Sequence, residues 1–149
     1  MKGSYCIVFD LQDDTKVRVG KKGVHEFPSG VYAYVGSALS GLEQRVARHL
    51  RSDKKKKWHI DYLIENGAVM STIMVPSDRK QTECAIASAL LGSPGAQVVM
   101  QGFGSSDCGC PTHLVYFGPE DPEWVMEEVV RAVAMLSCFC PEKIGDGRQ

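Results

Sequence analysis

Glu83 shares a helical stripe with Ile86, Ala87 and Leu90. A carboxylate on an apolar stripe needs a charged partner, a hydrogen-bond network or a metal ion. A first-turn acid answering the helix dipole is the plainer alternative. Upstream, Arg45 and His49 lie one helical turn apart, and Tyr5 and Tyr34 fall in two strand-like segments. A second concentration is Cys108-Gly109-Cys110-Pro111-Thr112-His113, two thiols and an imidazole within six residues; Cys138 and Cys140 form another C-x-C. Zinc sites usually place two to four residues between cysteines, so this spacing favours metal-free or cleft-lining thiols and zinc is not expected. Ser105, Ser106 and Asp107 form a polar loop that could take a phosphate through backbone N–H groups, or simply a glycine-rich turn.

A third feature is electrostatic. From Gly41 to His59, Arg45, Arg48, Arg51, Lys54, Lys55, Lys56 and Lys57 face only Glu43 and Asp53, a net of +5. The whole chain has 17 Lys+Arg against 18 Asp+Glu, so the rest is acidic and the last stretch from Pro119 nets -4. A lysine run is commonly a solvated loop. Here Trp58 and Tyr62 adjoin it one turn apart, and cations beside aromatics can track a phosphate backbone and stack unpaired bases. Arg48, Arg51, Lys54 to Lys57, Trp58 and His59 are therefore the candidate nucleic-acid-binding residues.

The elements that must position these groups alternate in type. Tyr5 to Leu11 reads as a buried strand, Thr15 to Val19 as its hairpin partner, and Gly30 to Gly36 as a further strand. Tyr32 and Tyr34, two apart, share a face. A helix runs from Ser40-Gly41 to about Arg51 with Leu42, Val46 and Leu50 as its core stripe. A second helix covers Trp58 to Glu65, a strand Val69 to Val75, and a helix Arg79 to Leu91 that stops at Gly92-Ser93-Pro94. A strand spans His113 to Phe117, and the last helix, 122–138, starts at Pro122 after Asp121. Residues 142–149 read as a frayed tail. Met70, Met74, Met100, Met126 and Met135 read as core filler. The pattern predicts one α+β domain over 1–149: a small mixed or antiparallel sheet flanked by helices.

Composition sets the outer limits. At 149 residues, with 44% hydrophobic and 23% charged residues, the chain is an ordinary globular domain and not a disordered or fibrous one. A net charge of -1 excludes a globally basic nucleic-acid binder. No apolar run approaches the ~18 residues of a membrane helix. Six cysteines without a secretory signal predict a reducing cytoplasm and free thiols.

Several strings carry a resemblance. Gly3-Ser4-Tyr5, Tyr34-Val35-Gly36, Arg45, His49 and Glu83 resemble the motifs of the GIY-YIG nuclease superfamily. KGSY, FPSGVYAYVGSA, GLEQRVARHLR, KKKKWHIDYL, the Glu83-Cys84 pair, GFGSSDCGC and HLVYF resemble its DUF123 branch, which occurs alone and fused to endonuclease III-type repair glycosylases. The resemblance covers the chain up to Phe117. It implies a GIY-YIG-like fold and a hydrolytic site using Mg²⁺ (or Mn²⁺) on DNA, in repair or structure-selective cleavage, with a repair glycosylase as possible partner. By motif, Tyr5 and Tyr34 line the site, Arg45 contacts the phosphate, Glu83 holds the cation and His49 stands behind them. Such a cation would stabilise the leaving oxygen, and Arg45 would fork onto non-bridging oxygens. Tyr34 could deprotonate water only if cation and Arg45 lowered its pKa from ~10. The sequence departs from the pattern in four places, one being that Arg45 sits one residue further from Tyr34 than is usual, which an enlarged turn at Leu39-Ser40-Gly41 could absorb. The first motif reads GSY, a hairpin from Gln12 to Ser29 separates the motifs, and Gly30-Val31-Tyr32 makes Tyr32 a rival for the role of Tyr5. The alternative function is a catalytically silent nucleic-acid-binding module on the same fold.

Overall fold

The computed structural model describes residues 1–51, 53, 55–56 and 59–138. Its centre is the pair β1 (Gly3–Leu11) and β4 (Gly30–Ala38). Both are buried almost end to end, because each is covered on two faces; that is why they read as continuous apolar runs rather than alternating ones. β5 (Gly67–Pro76) flanks β1, while β7 (Leu114–Tyr116) and β6 (Gln97–Val98) extend the β4 side, giving an antiparallel order β5-β1-β4-β7-β6.

One face of this sheet carries Tyr5, Ile7, Phe9 and Tyr32. It is covered by α1 (Leu42–Leu50), α2 (His59–Glu65) and the hairpin of β2 (Thr15–Arg18) with β3 (Val24–Phe27). The other carries Cys6, Val8, Ala33 and Val35 and is covered by α3 (Gln81–Leu91) and α4 (Pro122–Cys138). The domain is thus α+β: a five-stranded antiparallel sheet between two helical layers, with a two-stranded accessory sheet. Among the described residues no helix is long and apolar enough to cross a membrane.

Four local expectations change. Thr15–Arg18 pairs with Val24–Phe27 and not with β1, whose two edges are already taken by β4 and β5. In α1 the buried set is Leu42, Val46 and His49, whereas Leu50 is 52% exposed. A step of seven residues keeps register with 3.6 per turn better than a step of eight, so His49 takes the inward place. α3 begins at Gln81, two residues after Arg79. Of the methionines read as core, Met100 is buried, but Met70, Met74 and Met135 are exposed on edge strand β5 and the outer side of α4. The tail 142–149 lies outside the described residues.

Candidate functional site

Antiparallel pairing sets Tyr5 opposite Gly36 and Ile7 opposite Tyr34, so both tyrosines emerge on the α1 face. Their ring centroids are 6.4 Å apart. Gly41 precedes α1 as its N-cap, with a φ of 64° that is left-handed and cheap only for glycine, and the Leu42 N–H is held by the Met1 carbonyl at 2.8 Å. The helix then delivers His49, 1% exposed, with Nε2 2.9 Å from the Tyr5 hydroxyl. Its Nδ1 faces Oδ1 of Asp61 at 3.7 Å. Asp61 is completely buried and receives a two-pronged fork from Arg48, Nη1 to Oδ1 at 3.2 Å and Nη2 to Oδ2 at 3.0 Å. With its Nδ1–H turned to this carboxylate, His49 accepts the Tyr5 O–H on Nε2. Arg45 donates from Nη1 to the Ser37 carbonyl at 3.2 Å. Its charge lies close enough to both phenols to act on their pKa values.

Burial pushes the Tyr5 hydroxyl up to about 12 against the pull of Arg45. Burial, reinforced by Tyr5 and Glu83, holds Tyr34 still higher. At neutral pH both are therefore phenols, able to donate and accept hydrogen bonds, and not phenolates.

Beside them opens a cleft of about 440 Å³, lined by Ser4, Ser37, Glu83, Ser105, Asp107, Cys108 and His113 among others. Glu83 projects from the first turn of α3, its side chain 22% exposed, and its Oε2 lies 2.9 Å from Nδ1 of His113. Burial lowers the pKa of His113, but Glu83 and Cys108 outweigh it and hold the imidazole above its ordinary value. On the far side of the ring, Nε2 meets Cys108 Sγ at 3.5 Å and Cys84 Sγ at 3.8 Å. Burial also raises the Cys108 thiol, yet hydrogen bonds from the Cys110 backbone and the neighbouring thiols bring it below the ordinary range. The loop carrying these groups is braced by Gly102 N–H to Pro111 O at 2.7 Å and His113 N–H to Phe103 O at 2.8 Å. Ser105 is buried, and its hydroxyl has no hydrogen-bond partner among the described residues, which leaves it as an acceptor and donor on the cleft wall.

Of the candidates read from sequence, Tyr5, Tyr34, Arg45, His49 and Glu83 come together at one end of the β1–β4 pair. Tyr32 does not. It stacks on Phe9 at 5.3 Å, gives its hydroxyl to the Pro28 carbonyl at 2.6 Å and belongs to the core, which removes it as a rival to Tyr5. Arg48, read as a nucleic-acid contact, is committed to Asp61 and to the Lys55 carbonyl at 2.8 Å, because a fully buried carboxylate demands a partner. Lys56 pairs with Glu65 at 2.7 Å and lies 5.7 Å over the Tyr62 ring. Arg51, Lys55 and His59 are exposed; Lys54, Lys57 and Trp58 lie outside the described residues. Ser106 is exposed, and Asp107 reaches the cleft. The Cys138 thiol and Cys140 also lie outside the described part. Two residues of the site were given no role by the sequence. Asp61 was signalled only by an acid set among Ile60, Leu63 and Ile64. Cys84 adjoins Glu83 on a helix, and nothing local links it to a loop more than twenty residues downstream.

What the fold and the site define is a small α+β domain with a phenol–imidazole–guanidinium cluster beside a cleft that holds a carboxylate and an adjoining thiol–imidazole cluster. The chain belongs to the DUF123 family, described as a domain of unknown function, whose family model matches residues 4–135. No curated protein and no solved structure matches the chain.

Proposed function

We propose that the protein is a divalent-metal-dependent nuclease of the GIY-YIG type, hydrolysing phosphodiester bonds in DNA in the cytoplasm. The observation that carries this reading is the gathering of Tyr5, Tyr34, Arg45 and His49, from β1, β4 and α1, beside the cleft that Glu83 lines from α3. The donor set at the cleft suits a hard cation. Glu83 offers carboxylate oxygen with partial exposure, Asp107 stands on the same wall, and Mg²⁺ is commonly held by one or two carboxylates with several retained waters. A cation there would neutralise charge on the phosphate and its leaving oxygen.

The chain's own groups do the rest. Arg45 offers a planar fork to non-bridging oxygens. Tyr34, kept protonated by burial, orients water through its hydroxyl and is not a base in the metal-free protein. Tyr5 donates its O–H to His49 Nε2 and accepts on its oxygen from the Arg45 guanidinium, which ties the phenol to both groups. Asp61 and Arg48 hold that imidazole in place.

Glu83→Gln keeps shape and removes charge. It is expected to abolish Mg²⁺-dependent cleavage without unfolding, and Tyr34→Phe to lower turnover at least tenfold, about 1.4 kcal/mol of barrier. Full activity of Glu83→Gln in chelator-treated buffer resupplied with Mg²⁺ would overturn the metal role. A second reading, a silent binding module, draws on the Glu83–His113 contact, which occupies one oxygen of the only carboxylate placed by the motifs. It predicts salt-dependent DNA binding with no cleavage by the wild type at any Mg²⁺ or Mn²⁺ concentration.

A further inference from the structure

The geometry points to a second metal centre: we propose that Cys84, Cys108, Cys110 and His113 are the four ligands of a structural Zn²⁺ ion. It stands apart from the nuclease reading and does not depend on it.

The Sγ atoms of the three cysteines and a ring nitrogen of His113 all lie within 4.8 Å of one another. A tetrahedral zinc with bonds of about 2.3 Å to sulfur and about 2.05 Å to nitrogen spaces its ligands about 3.8 Å (S···S) and about 3.6 Å (S···N) apart. The two S···N separations here are 3.5 and 3.8 Å, so the imidazole already sits at ligand distance from two thiols. All three cysteines are free thiols. Thiolates with one imidazole select zinc over hard cations such as Mg²⁺.

A second, independent observation is the orientation of the ring. His113 is 2% exposed, and its Nδ1 faces Glu83 at 2.9 Å, which turns Nε2 into the thiols. A carboxylate behind the ligating imidazole is the arrangement that fixes tautomer and ring plane in zinc sites. The one-residue spacing of Cys108 and Cys110 is no obstacle in this fold. The chain bends at Cys108-Gly109, so both thiols turn to the same side, and the third comes from the first turn of α3. Four protein ligands make a closed site, so the role is to tie α3 to the 102–112 loop and the start of β7, which form one wall of the cleft.

The test uses the full-length protein purified under reducing conditions. Native mass spectrometry and elemental analysis should find one zinc per chain. After removal of the metal, Co²⁺ should give visible bands of tetrahedral intensity and near-ultraviolet thiolate charge-transfer bands, displaced by one equivalent of Zn²⁺. Cys84→Ser should lose the charge-transfer intensity of one thiolate, and Glu83→Ala should weaken Zn²⁺ binding about 10–100-fold while keeping the stoichiometry. Zinc well below one per chain, a weak octahedral Co²⁺ spectrum, iron in place of zinc, or a Cys84→Ser protein spectroscopically identical to wild type would each overturn the proposal. Circular dichroism of each variant separates lost ligation from lost folding, and the wild-type stoichiometry decides even where a variant does not fold.

Discussion

Gly36→Ala makes the sharpest test of how the tyrosine pair is built. Gly36 pairs directly with Tyr5 across β1 and β4, and the Tyr5 ring lies over it. A Cβ at position 36 would lie 2.5 Å from Cζ and 3.0 Å from Cε1 of that ring, and against its hydroxyl. Carbon atoms rest at about 3.5–4.0 Å, so the ring must retreat by roughly 1 Å. Tyr5 is 3% exposed and tethered to His49, which leaves little room to yield. Overpacking of this kind costs about 1–3 kcal/mol, or roughly 2–12 °C in Tm for a domain of this size. A shift of 1 Å at a reacting group can cost about 100-fold in rate, so turnover should fall by more than stability alone explains. Differential scanning calorimetry and a cleavage assay would be run on Gly36→Ala in wild-type and Tyr5→Ala backgrounds. If the clash is with Tyr5, the stability cost should largely vanish in the second background. An equal cost in both, or none in the first, would refute the argument.

Removing the Asp61 carboxylate, as in Asp61→Ala, leaves Arg48 and His49 without their acid. It should destabilise by about 3–5 kcal/mol, measured by urea unfolding; a loss under 1 kcal/mol would mean that the buried pair is not structural. Alkaline stability follows from the tyrosines. Tyr5 is raised to about 12 and Tyr34 is raised as well, so the folded state holds these protons more tightly than the unfolded chain. Their contribution is complete below about pH 10 and is lost as pH rises through the folded values. Tyr34→Phe should flatten the fall of stability between pH 10 and 12, and an unchanged slope would contradict the burial argument. Replacing Lys54, Lys55, Lys56 and Lys57 by Ala should weaken DNA binding to all sequences alike and flatten the dependence of log affinity on log salt. Identical slopes would make the run a solvated loop.

The order of elements was legible because each strand and helix carries its own period and its own stop. Gly92-Ser93-Pro94 ends α3, and Pro122 starts α4, as their residue types require. Pairing was less legible. Nothing in TKVRV says that both edges of β1 are already occupied; only the three-dimensional sheet excludes β2 from it. In the site, Tyr5, Tyr34, Arg45, His49 and Glu83 were readable as motif positions. Tyr32 could be set aside only once its hydroxyl was seen on the Pro28 carbonyl. Arg48 looked like a surface cation because its partner lies 13 residues away on another helix. The gathering of three thiols around His113 was hidden for the same reason. Spacing rules weigh cysteines near one another in the chain, whereas Cys84 arrives from a different element.

Glu83 is asked to serve two neighbours, and the chemistry of the carboxyl group lets the two roles be separated. One oxygen faces Nδ1 of His113 at 2.9 Å, and the residue also lines the cleft. A carboxylate has two oxygens, so orienting the imidazole and contributing to a hard cation are not exclusive. Gln at this position keeps a carbonyl oxygen that accepts from Nδ1–H, but it lacks the charge a Mg²⁺ site needs. Ala supplies neither. Glu83→Gln should therefore retain zinc with near-normal affinity and still lose Mg²⁺-dependent cleavage, whereas Glu83→Ala should lose cleavage and also bind zinc 10–100-fold more weakly. Equal zinc affinity in all three proteins would detach Glu83 from His113. Cleavage by Glu83→Gln with zinc fully bound would instead detach it from the phosphodiester chemistry and leave it as a support for the thiol–imidazole cluster alone.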